Sequence, residues 1–190
     1  MPIGQAKFGL LGGVVDPGKL ELLQTQTISS ETADFTTVLD VSTYNVHFFT
    51  LTNCKVTTQT EFGIRVSDDG GTSYETSNYQ FANQRGYQNN STYAERKSTS
   101  QGSIRLGGDV TTYSNSVFNG YFYMYNAGDS SKYTFFTSHN TFNQGTIATF
   151  EFGSGLYSQA STVNGIRIGE GAGTTAFSSG IISAYGIAES

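Results

Sequence analysis

Apolar and polar positions along this chain alternate with a period of two. In 120–126 the run Gly-Tyr-Phe-Tyr-Met-Tyr-Asn puts Tyr121, Tyr123 and Tyr125 on one side of an extended strand and Phe122 and Met124 on the other. In 62–67, Phe62, Ile64 and Val66 share a face, and in 163–168 Asn164, Ile166 and Ile168 alternate with Val163, Gly165 and Arg167. Alternation and punctuation together predict strands at 20–27, 35–39, 44–56, 62–67, 74–81, 103–106, 120–126, 132–138, 146–152, 163–168 and 180–187. No amphipathic helical stretch stands among them. The fold expected is all-β, an antiparallel two-sheet β-sandwich of jelly-roll type.

The segments between strands carry turn chemistry. Asp68-Asp69-Gly70-Gly71 supplies the positive-φ positions of a hairpin turn, after which 74–81 returns. Gly153-Ser154-Gly155 reads as a turn between Phe152 and Leu156, and the Gly-rich run 169–173 as a hairpin connector. Asn, Gln, Ser, Arg and Lys dominate 82–103, which reads as the longest loop of the protein. A loop of that length in a sandwich is expected to touch something, so Arg85, Tyr87, Tyr93 and Arg96 form a candidate contact loop.

Composition sets the first nineteen residues apart. Residues 1–19 hold both prolines of the chain and five of its 23 glycines, with Phe8, Leu10, Leu11, Val14 and Val15 spread between them. Such a segment makes no core of its own. Either it is a disordered leader, or it is an extended N-terminal arm whose apolar residues lie on a neighbouring subunit. Residues 20–190 are read as a single sandwich domain, long enough to bury about 70% of the surface that its unfolded form exposes. The tyrosine stripe of Tyr121, Tyr123 and Tyr125 has three readings: packing under a neighbouring element, a subunit interface, or a sugar-stacking platform. The absence of Trp weighs against the last.

Three stretches carry a resemblance. Val163-Asn164-Gly165-Ile166-Arg167-Ile168 leads through a Gly-rich connector to Ile182-Ser183-Ala184-Tyr185-Gly186-Ile187 near the terminus. Upstream, Arg65-Val66-Ser67-Asp68-Asp69-Gly70-Gly71-Thr72-Ser73-Tyr74 has the form R-x-S-x-D-G-G-x-x-Y, and an opening strand starts at Leu20. Together they resemble small β-sandwich virion structural proteins of tailed bacteriophages, over about 20–187. The resemblance implies a surface protein of the particle, either a tail fibre or appendage for host attachment or a head decoration (cement) protein. It implies partners in other virion proteins and in a host surface glycan; other copies of itself are expected as partners too, in a trimer, because a symmetric oligomer covers the open edges of the sheets. It brings no catalytic motif. The alternative is a carbohydrate-binding β-sandwich that belongs to no virion.

Charge and reactive side chains narrow the chemistry. Ten basic against fifteen acidic residues give a net charge of −5, which argues against nucleic acid as a partner. No run of 18 apolar residues and no export signal is visible, so neither membrane insertion nor secretion is expected, and localisation follows the virion, assembled in the host cytoplasm. Cys54 has no partner for an internal disulfide and reads as a buried thiol. Asp68 and Asp69 are adjacent and suit a turn better than the opposed carboxylates of a glycosidase, and they lack the spaced ligands of a calcium loop. His47 lies in an apolar strand and His139 in a polar run, without a nucleophile elbow. No enzymatic activity, cofactor or metal is expected.

Overall fold

The computed structural model describes residues 19–29, 31–89, 91–169, 175 and 177–188. Among the described residues twelve strands follow in chain order: β1 (Leu20–Ile28), β2 (Ala33–Phe35), β3 (Val46–Lys55), β4 (Thr60–Ser67), β5 (Tyr79–Tyr87), β6 (Ala94–Gln101), β7 (Ile104–Val110), β8 (Phe118–Tyr125), β9 (Thr134–Gln144), β10 (Ile147–Tyr157), β11 (Gly165–Gly169) and β12 (Ser179–Ile187). No helix occurs among the described residues. The strands make two antiparallel sheets packed as a β-sandwich, one in the order β1-β12-β3-β8-β9-β10-β5-β6 and one in the order β2-β11-β4-β7. The pairings nest as a jelly roll: β1-β12-β3-β8 faces β2-β11-β4-β7. Two hairpins are added to that frame. β5–β6 is inserted between β4 and β7, β9–β10 between β8 and β11, and both extend the larger sheet.

Alternation decides which side chains meet between the sheets. Phe49, Phe122, Met124, Phe136, Ile182 and Ala184 point inward from the large sheet, and Phe35, Phe62, Ile64, Val66, Ile166 and Ile168 from the small one, all buried. Phe49 stacks on Phe122 at 4.5 Å, and Phe62 on Phe118 at 4.2 Å. Each such side chain contributes about 1.5–3 kcal/mol through removal of apolar surface from water. Cys54 is wholly buried, as expected, and burial pushes its thiol up to about 12.

The two motifs of the phage resemblance meet in space. Gly70 N donates to Asn164 Oδ1 at 2.8 Å, Asn164 N donates to Ser67 O at 3.0 Å, and the Arg167 guanidinium lies 3.9 Å above the Tyr74 ring. Arg167 also holds Asp34 through Nε and Nη2 at 2.8 and 2.6 Å. The motif residues thus clip β4, β11 and β2 of the small sheet to the turn that follows β4.

Four local expectations are corrected. The run 82–103 is not a loop: β5 and β6 pair as a hairpin through it. Its polarity misleads because β6 is the sheet edge, where charged side chains deter further pairing. Gly70 and Gly71 do take positive φ, 73° and 90°, but they lead from the small sheet to the large one, so β4 and β5 are not hairpin partners. β11 and β12 likewise lie in different sheets and are not hairpin partners, and most of the Gly-rich run 169–173 between them lies outside the described residues. Gly153 and Gly155 lie inside β10. A Cβ at Gly153 would stand 2.2 Å from Asn83 Oδ1, and one at Gly155 would stand 2.8 Å from Ile104 Cγ2; glycine here permits close approach.

Candidate functional site: the outer face of the large sheet

The outward side chains of the large sheet line up in rows across the strands, because paired residues point to the same side. One row runs Leu20, Ile187, Val46, Tyr125, Phe135, Leu156 and Gln80. The next runs Leu22, Tyr185, Phe48, Tyr123, Thr137, Ser154, Ala82 and Lys97. A third runs Thr25, Ser183, Thr50, Tyr121, His139, Phe152, Gln84 and Glu95. A sheet with one side on the core ordinarily shows polar residues on the other. Here large apolar side chains stand among the polar ones on the solvent side: Leu22 is 59% exposed, Phe135 and Phe152 42% each, and Tyr121 40%.

Aromatic rings touch in sequence across this face. Phe48 is 6.0 Å from Tyr185, 4.8 Å from Tyr123 and 5.8 Å from Tyr121. Tyr123 stacks on Tyr125 at 6.1 Å. Tyr121 meets His139 at 5.9 Å, His139 meets Phe152 at 6.2 Å, Phe152 stacks on Phe150 at 6.1 Å, and Phe150 meets Tyr93 at 6.1 Å. The band runs from β12 to the turn of the β5–β6 hairpin.

The predicted site residues divide accordingly. Tyr121, Tyr123 and Tyr125 lie on the outer face, with Phe122 and Met124 beneath in the core, as the alternation of 120–126 requires. Their partners Phe48, His139, Phe152 and Tyr185 come from other strands, and the sheet register brings them alongside. Of the candidate contact loop, Tyr93 alone stands at the turn and joins the band, 62% exposed. Tyr87 is half-buried at the end of β5. Phe8, Leu10, Leu11, Val14 and Val15 of the N-terminal arm lie outside the described residues.

Arg85 belongs elsewhere, which corrects its reading as a contact residue, and Arg96, one-third exposed, is tied to the same charged cluster. Arg85 points inward and is wholly buried. Its Nε donates to Glu151 Oε2 at 2.8 Å, its Nη2 stands 2.6 Å from the same oxygen, and its Nη1 donates to Asp109 Oδ2 at 2.7 Å. Arg96 Nη2 reaches that Asp109 oxygen at 2.9 Å, and Arg105 Nη1 pairs with Glu61 at 2.6 Å. Asn83 Nδ2 donates to Glu151 Oε1 at 3.0 Å. Burial alone would raise the Asp109 pKa, but the hydrogen bond from Arg85 and the charges of Arg85, Arg96 and Arg105 outweigh it and hold the carboxyl below its ordinary value. Three cations thus balance three anions where the added hairpins cover β7, and the inner side of β5 is committed to the fold.

The titratable groups once weighed for catalysis have structural partners. Asp69 accepts from Ser73 N at 2.9 Å, Ser73 Oγ at 2.7 Å and Ser67 Oγ at 2.7 Å, which holds its carboxyl down at about 2. His47 is wholly buried with Nε2 on the Leu39 carbonyl, and burial lowers its pKa. Among the described residues no three His, Cys, Asp or Glu side chains gather as a metal site, and no helix is long and apolar enough to cross a membrane. The feature that stands out is the aromatic face. Comparison of the chain with protein-family models, with curated proteins and with solved structures finds no match.

Proposed function

We propose that this chain is a non-enzymatic structural protein on the surface of a tailed-phage particle, working through assembly with copies of itself and with other virion proteins. The observation that carries the reading is the outer face of the large sheet, where Leu22, Tyr121, Phe135 and Phe152 are exposed and half-buried Phe48 lies against Tyr121. Exposed patches of this extent mark interaction sites. The eight-strand jelly-roll frame recurs in viral capsid and lectin domains, a likeness of fold that supports the particle reading by analogy.

Two places on the particle fit: a tail fibre or appendage that contacts the host, its glycan included, and a head decoration that clamps capsid subunits. A trimer is the expected assembly in either. Gold-tagged antibody against the chain, applied to purified particles, tests the reading. Gold over the heads makes it a decoration protein, gold on the tails makes it an attachment component, and particles that carry none overturn the proposal.

A further inference from the structure

The outer face is not uniform along its middle row. From β1 to β8 that row carries Leu22, Tyr185, Phe48 and Tyr123, and from β9 to β6 it carries Thr137, Ser154, Ala82 and Lys97. The first half is a ridge. The second is a furrow whose floor, Thr137, Ser154 and Ala82, is small, whose far end is Lys97, and whose walls are large: Phe135 and Leu156 on one side, His139 and Phe152 on the other. Two hollows of about 670 and 350 Å³ open along it and share Ala82 and Lys97.

We infer that the ridge of one copy seats in the furrow of a second copy of this chain. This rests on the assembly reading above and names its contact. Three observations favour a second copy over other occupants. The ridge and the furrow lie in the same row of the same face, so each copy carries both halves of the joint. From β1 to β5 the three rows hold no Asp, Glu, Lys or Arg, and the charged pair Glu95–Lys97, at 3.1 Å, stands at the β6 edge. Interface centres are depleted of charge and rims are not. The area also suffices: eight strands each about 4.8 Å wide and three rows each about 7 Å deep cover roughly 38 by 21 Å per copy, or about 1,600 Å² buried in all, within the standard range for stable interfaces. A two-fold pair and a closed ring both satisfy the contact, since the two halves differ and each finds its complement on a neighbour.

The test places a charge on each half. Tyr123→Arg changes the ridge, and Ser154→Asp changes the exposed floor of the furrow. Light-scattering mass on a sizing column, with circular dichroism and a melt to confirm folding, reads the outcome. Each single variant is expected to raise the dissociation constant about 100-fold or more, through an unpaired charge buried in the joint. The double variant is expected to return to within about 10-fold of the parent, because its introduced charges oppose one another. A parent that keeps the mass of one chain overturns the inference, as do folded single variants that still assemble. Dissociation by Tyr123→Arg alone, with Ser154→Asp inert and the double variant unrescued, would mean ridge on ridge and also overturns it. So would a monomeric parent whose furrow binds a polysaccharide in a manner lost on Phe152→Ala. None of these results depends on where antibody labels the particle, so the joint can fail while the virion reading stands.

Discussion

Replacing Arg85 with Met strips the buried carboxylate of Glu151 of its nearest cation. After the change Glu151, wholly buried, keeps Asn83 Nδ2 at 3.0 Å, and Arg105 Nε stands no nearer than 4.0 Å. Asp109 is about one-third exposed and retains Arg96 at 2.9 Å, so its loss is screened and counts for little. An uncompensated buried charge costs about 3–5 kcal/mol, and that figure is the expected destabilisation. Urea unfolding at fixed protein concentration, followed by circular dichroism, measures it; with a slope of about 2 kcal/mol per M, the midpoint should fall by about 1.5–2.5 M. The double change Arg85→Met with Glu151→Leu should recover at least half of the loss, since apolar replacement of both partners removes the desolvation penalty as well. Asn83 remains satisfied in that variant by the Arg105 carbonyl at 2.9 Å. A single-variant loss below about 1 kcal/mol, or a double variant no better than the single, would refute the reasoning that an unpaired Glu151 dominates.

Three further outcomes are expected. Asp69 should titrate at about 2 in an NMR pH series. Its folded pKa is depressed, so its contribution to the turn is complete above the ordinary carboxylate value of 3.8 and fades as pH falls toward 2; titration near 3.8 would contradict the hydrogen bonds assigned to it. Cys54, with its thiol raised to about 12 by burial, should resist a thiol-specific chromogenic reagent at pH 8 and react fully once urea unfolds the chain; prompt reaction of the native protein would contradict its burial. Gly120→Ala would set a Cβ 2.0 Å from Asn140 Oδ1 and 2.8 Å from the His139 carbonyl, forcing β8 from β9, and a thermal melt should show a loss of about 1–3 kcal/mol.

The frame of the sandwich was legible because period-two alternation directly reports one buried face: Phe62, Ile64 and Val66, and Phe122 and Met124, all lie in the core. The hairpin of β5 and β6 was not, because an edge strand such as Ala94–Gln101 keeps both faces polar and carries no alternation to read. Arg85 looked like a surface cation because its anions, Asp109 and Glu151, lie far along the chain and reach it only through the sheet order. Gly153 and Gly155 signalled close backbone approach, which local sequence does not separate from a turn. Tyr121, Tyr123 and Tyr125 announced a stripe on one strand, but its union with Phe48, Tyr185, His139 and Phe152 depends on the register β12-β3-β8-β9-β10. Residues apolar on both faces, as in Phe48 and Phe49, were the available signal that the outer side of the sheet carries apolar residues as well.

Sedimentation equilibrium of the purified chain measures most directly whether assembly is its function. The expected result is a mass that is a multiple of 20.5 kDa at micromolar concentration, three copies being the count expected. A mass of 20.5 kDa that persists up to about 100 μM would leave the aromatic face without a second copy to cover it and would contradict the account.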